Sequence, residues 1–440
     1  MSEWVETTIG EIAASTRNAL VGGPFGSNLV SADYTTDGVP VIRGQNMGSR
    51  WVSGEFAYVS PEKAQTLQAN LARPGDIVFT QRGTLGQVAL VPDGGFSSYV
   101  ISQSQMKLTV DRAKADPLFL FYVFSSPEQQ EYIRQNAIQV GVPHTNLGIL
   151  RDTPISLPPL SNQLAIAHIL GTLDDKIELN RRMNETLEAT ARAIFKSWFV
   201  DFDPVRAKAG GEPPESICRR LGLTPDVLAL FPGSFQDSEL GEIPKGWSVR
   251  SLDDVADFLN GLALQKYPAT GDEWLPVIKI AQLRAGHTLG ADRANTEIPP
   301  AYVIENGDVL FSWSGSLEVE IWCGGQGALN QHLFKVTSAE FPKWFYLLWT
   351  RHHLRGFRDI AANKATTMGH IQRKHLTDAK VLCPSEKLLA AMGATFDPLI
   401  SKIINGRLET NELAALRDTL LPKLLSGELS PNHVPAESLQ

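Results

Sequence analysis

Two kinds of hydrophobic pattern alternate along the chain, and each occurs twice. In residues 1–160 and again in 243–386 the apolar positions come as short β-branched runs broken by Gly, Pro and Asp. Runs at 39–42, 77–80, 87–91 and 106–110, then at 277–280, 309–312, 319–322 and 333–336, predict strands. A helix is expected from 117 to about 136 and from 342 to about 361, proline suiting the first turn of each. A further strand ends at Pro158-Pro159 in one stretch and at Cys383-Pro384 in the other.

After each mixed stretch the apolar spacing lengthens to steps of four and three. Ile166, Leu170, Leu173, Ile177, Asn180, Asn184, Leu187, Ala191, Ile194 and Trp198 form one stripe. Met392, Phe396, Leu399, Ile403, Gly406, Thr410, Leu413, Arg417, Leu420 and Leu424 form the other. That is the seam of a coiled coil, with its polar weak point at Asn180, Asn184, Gly406 and Thr410 in the middle. Helices are expected over 161–200 and 387–427, each about 58 Å long at 1.5 Å per residue. Residues 201–242, rich in Pro and Gly, read as a linker with one short helix near 224–230, and 428–440 as a tail.

The two halves are copies. Trp4-x4-Ile9-x-Glu11-Ile12-Ala13 returns as Trp247-x4-Leu252-x-Asp254-Val255-Ala256, and Gly75-Asp76-Ile77-Val78-Phe79-Thr80 as Gly307-Asp308-Val309-Leu310-Phe311-Ser312. The offset falls from 243 residues at the first tryptophans to 226 at His144 and His370, and then holds. Length changes are thus confined to the mixed stretches, as expected of surface loops, while the helical parts keep count. The architecture expected is α+β: two α/β domains in tandem with two long helices pairing antiparallel, giving pseudo-two-fold symmetry within one chain. Such an object suits a nearly two-fold target, and duplex DNA is one.

Composition narrows the classes. Hydrophobic content of 43% and charged content of 20% are those of an ordinary soluble protein. Cys218, Cys323 and Cys383 are scattered and odd in number, which predicts reduced thiols in a cytoplasm. No apolar run marks a signal peptide near the start or a membrane span anywhere. A net charge of −8 disfavours a generic nucleic-acid binder, but residues 351–374 form a basic strip with Asp359 as the one acid.

In these features the chain resembles the specificity subunits of type I restriction-modification systems. The carriers are Gly23-Pro24-Phe25-Gly26-Ser27, Arg82-Gly83-Thr84-x-Gly86, Gly141-x-Pro143-His144-x-Asn146-Leu147, Leu157-Pro158-Pro159-Leu160-x2-Gln163-x2-Ile166, Leu173-Asp174-x2-Ile177-x3-Asn180 and Lys423-Leu424-Leu425-Ser426-Gly427. The second half departs at Ser385 and Leu389, where the first has Pro159 and Gln163. The resemblance implies two target-recognition domains, each reading one part of a bipartite DNA site, with the helices as spacer ruler. It also implies two methylation subunits on the helices and restriction subunits outside them. S-adenosylmethionine, ATP and Mg would then belong to those partners, with no cofactor in this chain. A two-lobed assembly scaffold without sequence-specific DNA binding is the alternative.

Base readout calls for Arg or Lys on guanine and Asn or Gln on adenine. In the first domain the candidates are Arg43, Gln45, Asn46, Gln81, Arg82, Thr84, Gln103, Gln105, His144, Thr145, Asn146 and Arg151. In the second they are Lys279, Gln282, Arg284, Ser314, Asn330, Gln331, His332, Arg351, Arg355, His370, Gln372, Arg373 and Lys374. No catalytic or metal site is expected. The Pro-Pro pairs lack the following aromatic of an adenine methyltransferase motif, and residues 22–28 lack the lysine of a phosphate loop. Residues 323–327, rich in Gly, read as a hairpin, and His352-His353 and His370-x4-His375 lack zinc-site spacing.

Overall fold

The computed structural model describes residues 4–139, 143–363 and 369–433. The chain divides into two units: Met1–Lys176 with Leu413–Gln440, and Ile177–Glu412. The principal helices are α1 (Pro117–Ser125), α2 (Leu160–Phe195), α3 (Lys343–Asn363) and α4 (Glu386–Leu425). Each unit therefore holds one mixed domain, part of α2 and part of α4.

In the first unit the strands predicted at 39–42, 77–80, 87–91 and 106–110 join strands that the pattern did not predict in two sheets. One has the order 20–22, 105–108, 77–80, 88–90 and is antiparallel; the other is five-stranded, with 39–42 parallel to 99–101. The second unit repeats the antiparallel sheet as 257–260, 333–337, 309–312, 319–321, and again places one parallel pair, 275–278 with 327–329, beside it. The duplicated Gly-Asp motif is the turn into the central strand. Asp76 accepts from Arg73 N at 2.9 Å and pairs with Lys107 on the neighbouring strand at 3.1 Å. Asp308 repeats this, accepting from Glu305 N at 2.8 Å and pairing with Lys335 at 2.7 Å. The motif thus secures sheet register.

Three elements differ from expectation. The helix predicted over 117–136 breaks in two, because Pro127 cannot continue it and Ser126 caps the next segment. Residues 323–327 do not make a hairpin; they carry the chain from strand Val319–Ile321 in one sheet to Gly327–Leu329 in another. The segment 201–242 folds as three helices, Asp203–Ala209, Pro214–Leu221 and Pro225–Leu230, and most of a hairpin that ends at Pro244. Pro204, Pro214 and Pro225 sit in the first turns of those helices, and Phe202, Val205, Ile217, Leu228 and Phe231 lie in the core of the second unit. Proline composition signals a helix start as readily as a linker, and here the buried aromatics decide.

The long helices pair antiparallel, as expected. In the first unit Ile166 and Leu170 of α2 share a core with Leu424 of α4, and Arg417 bonds Asp174 at 2.8 Å. In the second unit Asn180 donates to Glu409 at 3.0 Å, Asn184 faces Gly406, and Trp198 packs on Phe396 with ring centres 5.5 Å apart. Numbers rising along α2 fall along α4. Met392, Phe396, Leu399 and Ile403 line the seam with Leu187, Ala191 and Ile194, and Trp344 stacks on Phe396 at 4.4 Å. Leu173 is buried too, while Ile177, Leu413 and Leu420 are half-buried.

The polar middle is a charge network. Arg407 bonds Glu188 at 2.6 Å, Glu320 at 3.0 Å and the Ile321 carbonyl at 2.8 Å, while Arg351 reaches Glu320 at 3.2 Å and Glu188 at 3.5 Å. Burial works against the Arg407 charge, and Glu320 and Glu188 outweigh it, so the guanidinium holds its proton more tightly than usual. A polar seam closed this way fixes the partners' register, since a slipped helix would strand charges away from water.

Candidate nucleic-acid interface

Antiparallel pairing brings particular loops together. In the first unit strands Leu20–Gly22 and Ile77–Thr80 end, and Gln105–Leu108 begins, at one edge of the sheet. Strand Val39–Ile42 finishes there as well, since Ser102 N donates to Ile42 O at 3.0 Å. The His144 loop joins them through a backbone bridge to Arg82 and a bond from Thr145 N to Gln81 O at 3.0 Å. Loops 23–29, 43–46, 81–84, 102–104 and 144–146 therefore share one edge.

The second unit rebuilds this edge bond for bond. Gly23 N to Gln105 O (2.8 Å) becomes Gly261 N to Leu333 O (3.0 Å), and Ser102 N to Ile42 O becomes Asn330 N to Ile278 O (3.3 Å). Gln81 N to Ser104 O (2.7 Å) becomes Trp313 N to His332 O (3.3 Å), and Thr145 N to Gln81 O becomes Ile371 N to Trp313 O (3.0 Å). The bridge Arg82–His144 becomes Ser314–His370. A Cβ on Gly23 or Gly261 would fall 2.0 Å from Ser102 O or 2.2 Å from Asn330 O, so both crossings need glycine. The backbone is held constant while its side chains change: Gln81 to Trp313, Arg82 to Ser314, Ser104 to His332.

The predicted residues divide by what their side chains already do. Asn46 is buried, accepting from Arg43 N and donating to the Ser53 and Glu55 carbonyls; Gln282 repeats the cap on Lys279 N. Gln105 is buried against the Ser102 hydroxyl, Thr145 is buried, and Asn146 caps helix Leu147–Asp152 at Ile149 N. Ser314 is buried beside His332 Nδ1 at 3.0 Å, and Asn330, also buried, turns its amide oxygen to His332 N. Gln331 lies 3.4 Å from His332 Nε2. Gln45 donates to Glu55 O, and Gln103 donates to Gly26 O and Leu29 O.

Exposed positions remain at both edges. Arg82 and Thr84 are exposed on the turn after the central strand, and Gln81 is half-exposed beside them. Arg43 is half-buried with an Nε that has no partner among the described residues. In the second unit Lys279, His370, Gln372, Arg373 and Lys374 are exposed; Lys279 pairs with Asp292, and Arg373 donates to Phe258 O at 3.0 Å. Four of the predicted residues lie elsewhere in the fold. Arg151 packs its stem over Gly10, Arg351 belongs to the network with Glu188 and Glu320, Arg355 is exposed on α3, and Arg284 lines a cleft of about 520 Å³ with Trp322, Cys323 and Asn411. Sequence reasoning missed Phe25, 86% exposed at this edge, and Trp313, whose indole donates to Asn260 Oδ1 at 2.9 Å. The Gly-Pro-Phe-Gly string carried the first signal; the equivalence of Trp313 with Gln81 needed the fold. Among the described residues no cluster of His, Cys, Asp and Glu could hold a metal, and no helix is long and apolar enough to cross a membrane.

Residues 1–189 match the family model described as the type I restriction modification DNA specificity domain. The chain is 24% identical to the specificity subunit of the type I restriction enzyme HindI from Haemophilus influenzae, covering 96% of this chain and 98% of that one. It is 24% identical to the MjaIX specificity subunit from Methanocaldococcus jannaschii, covering 96% and 95%. The fold is also that of the S subunit of a type I restriction-modification system from M. genitalium, with TM-score 0.58, 17% identity and 96% of each chain covered. The class defined by these findings is a non-catalytic DNA-recognition protein. Over nearly its whole length the chain is similar to the specificity subunits of type I restriction-modification systems.

Proposed function

We propose that the two rebuilt sheet edges are the two reading surfaces of this subunit, each taking one half of a bipartite duplex site. The observation that carries this reading is the repeated hydrogen-bond frame with exchanged side chains. A fixed frame holds position against the backbone while variable side chains select bases. The exposed polar residues Gln81, Arg82 and Thr84, with Arg43 beside them, do this in the first domain. Lys279, Gln372, Arg373 and Lys374, with His332 and His370, do it in the second. The paired helices set the spacing and seat two methylation subunits, with restriction subunits added outside. S-adenosylmethionine, ATP and Mg are used by those partners, and the complex works in the cytoplasm.

The test is the adenine-methylation motif of DNA modified by the complex, followed by binding assays on duplexes carrying it. The motif is two short defined sequences separated by an unspecified spacer. Arg82→Ala weakens binding at matched salt and relaxes discrimination at one base pair of one half-site, by roughly 1–3 kcal/mol. A continuous motif, or binding indifferent to sequence at every salt concentration, overturns the reading.

A further inference from the structure

Phe25 is the largest apolar side chain held in solvent at either reading edge. The residue is 86% exposed, whereas Pro24 before it is buried. The loop does not leave it there by slackness. Asn70 donates to Gly22 O at 2.7 Å, Gly23 crosses the backbone of Ser102, and Gln103 donates to Gly26 O at 2.7 Å and Leu29 O at 2.9 Å. Gly26 takes the left-handed conformation directly after the ring, and Asn28 N closes the turn on Phe25 O at 3.1 Å. Residues 22–30 contain no acid, and Arg82 and Gln81 lie on the neighbouring turn of the same edge. A phenylalanine kept out of the core forgoes the stabilisation of burying its ring, so a loop built to display it has a surface to meet.

We propose that Phe25 is an apolar wedge that enters the duplex between two base pairs of the first domain's half-site. This rests on the reading that the sheet edges face DNA. An aromatic ring partly unstacks a base step and kinks the duplex, and its cost depends on the step entered. Phe25 thereby selects an easily unstacked pyrimidine–purine step at a position that no hydrogen bond reads. The second domain has Ala263 at the start of the equivalent turn, Leu264–Lys266, so the distortion belongs to one half-site alone.

The test uses the full chain with its methylation subunits and duplexes bearing the mapped motif, with 2-aminopurine placed in turn at each step of both half-sites. The methylated adenine leaves the stack during methyl transfer and serves as internal control. Wild-type protein raises fluorescence at one further step, in one half-site. Phe25→Ala removes that signal, keeps the control signal, and weakens binding roughly tenfold; Phe25→Leu retains part of both. Arg82→Ala weakens binding but leaves the step signal in the remaining complex. Unchanged affinity and signal in Phe25→Ala overturn the wedge, and so does a variant that binds DNA normally but fails to assemble with methylation subunits. If Arg82→Ala is silent as well, the DNA-facing reading fails and not the wedge alone.

Discussion

Gln163→Leu makes the first half of the chain resemble the second at the entry to α2, where the equivalent residue is Leu389. Gln163 is 1% exposed. Its Oε1 accepts from Asp116 N at 3.0 Å, and its Nε2 donates to Pro158 O at 2.9 Å and Lys114 O at 3.2 Å. One carboxamide thus ties the start of α1, the loop before it and the start of α2. Leucine fills the volume but leaves one N–H and two carbonyls without that partner. An orphaned buried donor costs about 1–3 kcal/mol, and carbonyls cost less because each has two lone pairs. Added apolar burial returns about 1 kcal/mol, so the first unit loses about 3 kcal/mol. In a unit of this size that lowers the melting temperature by roughly 6–12 °C. Trp4 and Trp51 are the tryptophans of the first unit and all others lie in the second. Tryptophan fluorescence therefore follows the second unit, while hydrogen exchange of α1 and the 105–108 strand follows the first. The expected outcome is early opening of the first unit with an unmoved fluorescence transition. A change below about 0.5 kcal/mol in exchange-derived stability refutes the reasoning, because ordinary surface substitutions do no more. The reciprocal Leu389→Gln destabilises the second unit, where Leu389 packs on the apolar core.

Two further outcomes test the helix pair and the core. A Cβ at Gly406 would lie 2.7 Å from Asn184 Oδ1; Gly406→Ala is therefore neutral or destabilising in the native chain despite a helix-propensity gain of about 1 kcal/mol. In an Asn184→Ala background the same change stabilises by about 1 kcal/mol, and strict additivity in urea denaturation would show that the helices do not meet there. His353 is held neutral, its pKa pushed down to about 4 by burial and then by His352, with Nε2 donating to Lys380 O at 2.9 Å. Unfolding lets it take up a proton, so its stabilisation is full above about pH 6.5 and is lost as pH falls toward 4. The loss is roughly 1–3 kcal/mol, and His353→Gln flattens this part of the stability–pH curve; an unchanged slope would mean another group titrates there.

The amino-acid order by itself determined the duplication, three of the four strands in each antiparallel sheet and the seam of the long helices. These follow from spacing along the chain, which a reader can count without knowing what lies opposite. Tertiary structure alone decided which polar residues stay available. Asn46, Gln105, Ser314 and Asn330 look like readers in the sequence, yet they are buried and hydrogen-bonded where loops cross. Arg351 looks like part of a basic strip, but helical turning carries it to Glu188 and Glu320. The segment 201–242 has a linker's composition and a core's aromatics, and only packing shows which governs. Hydrophobic periodicity is a local property, whereas the fate of a polar side chain depends on partners far away in the chain.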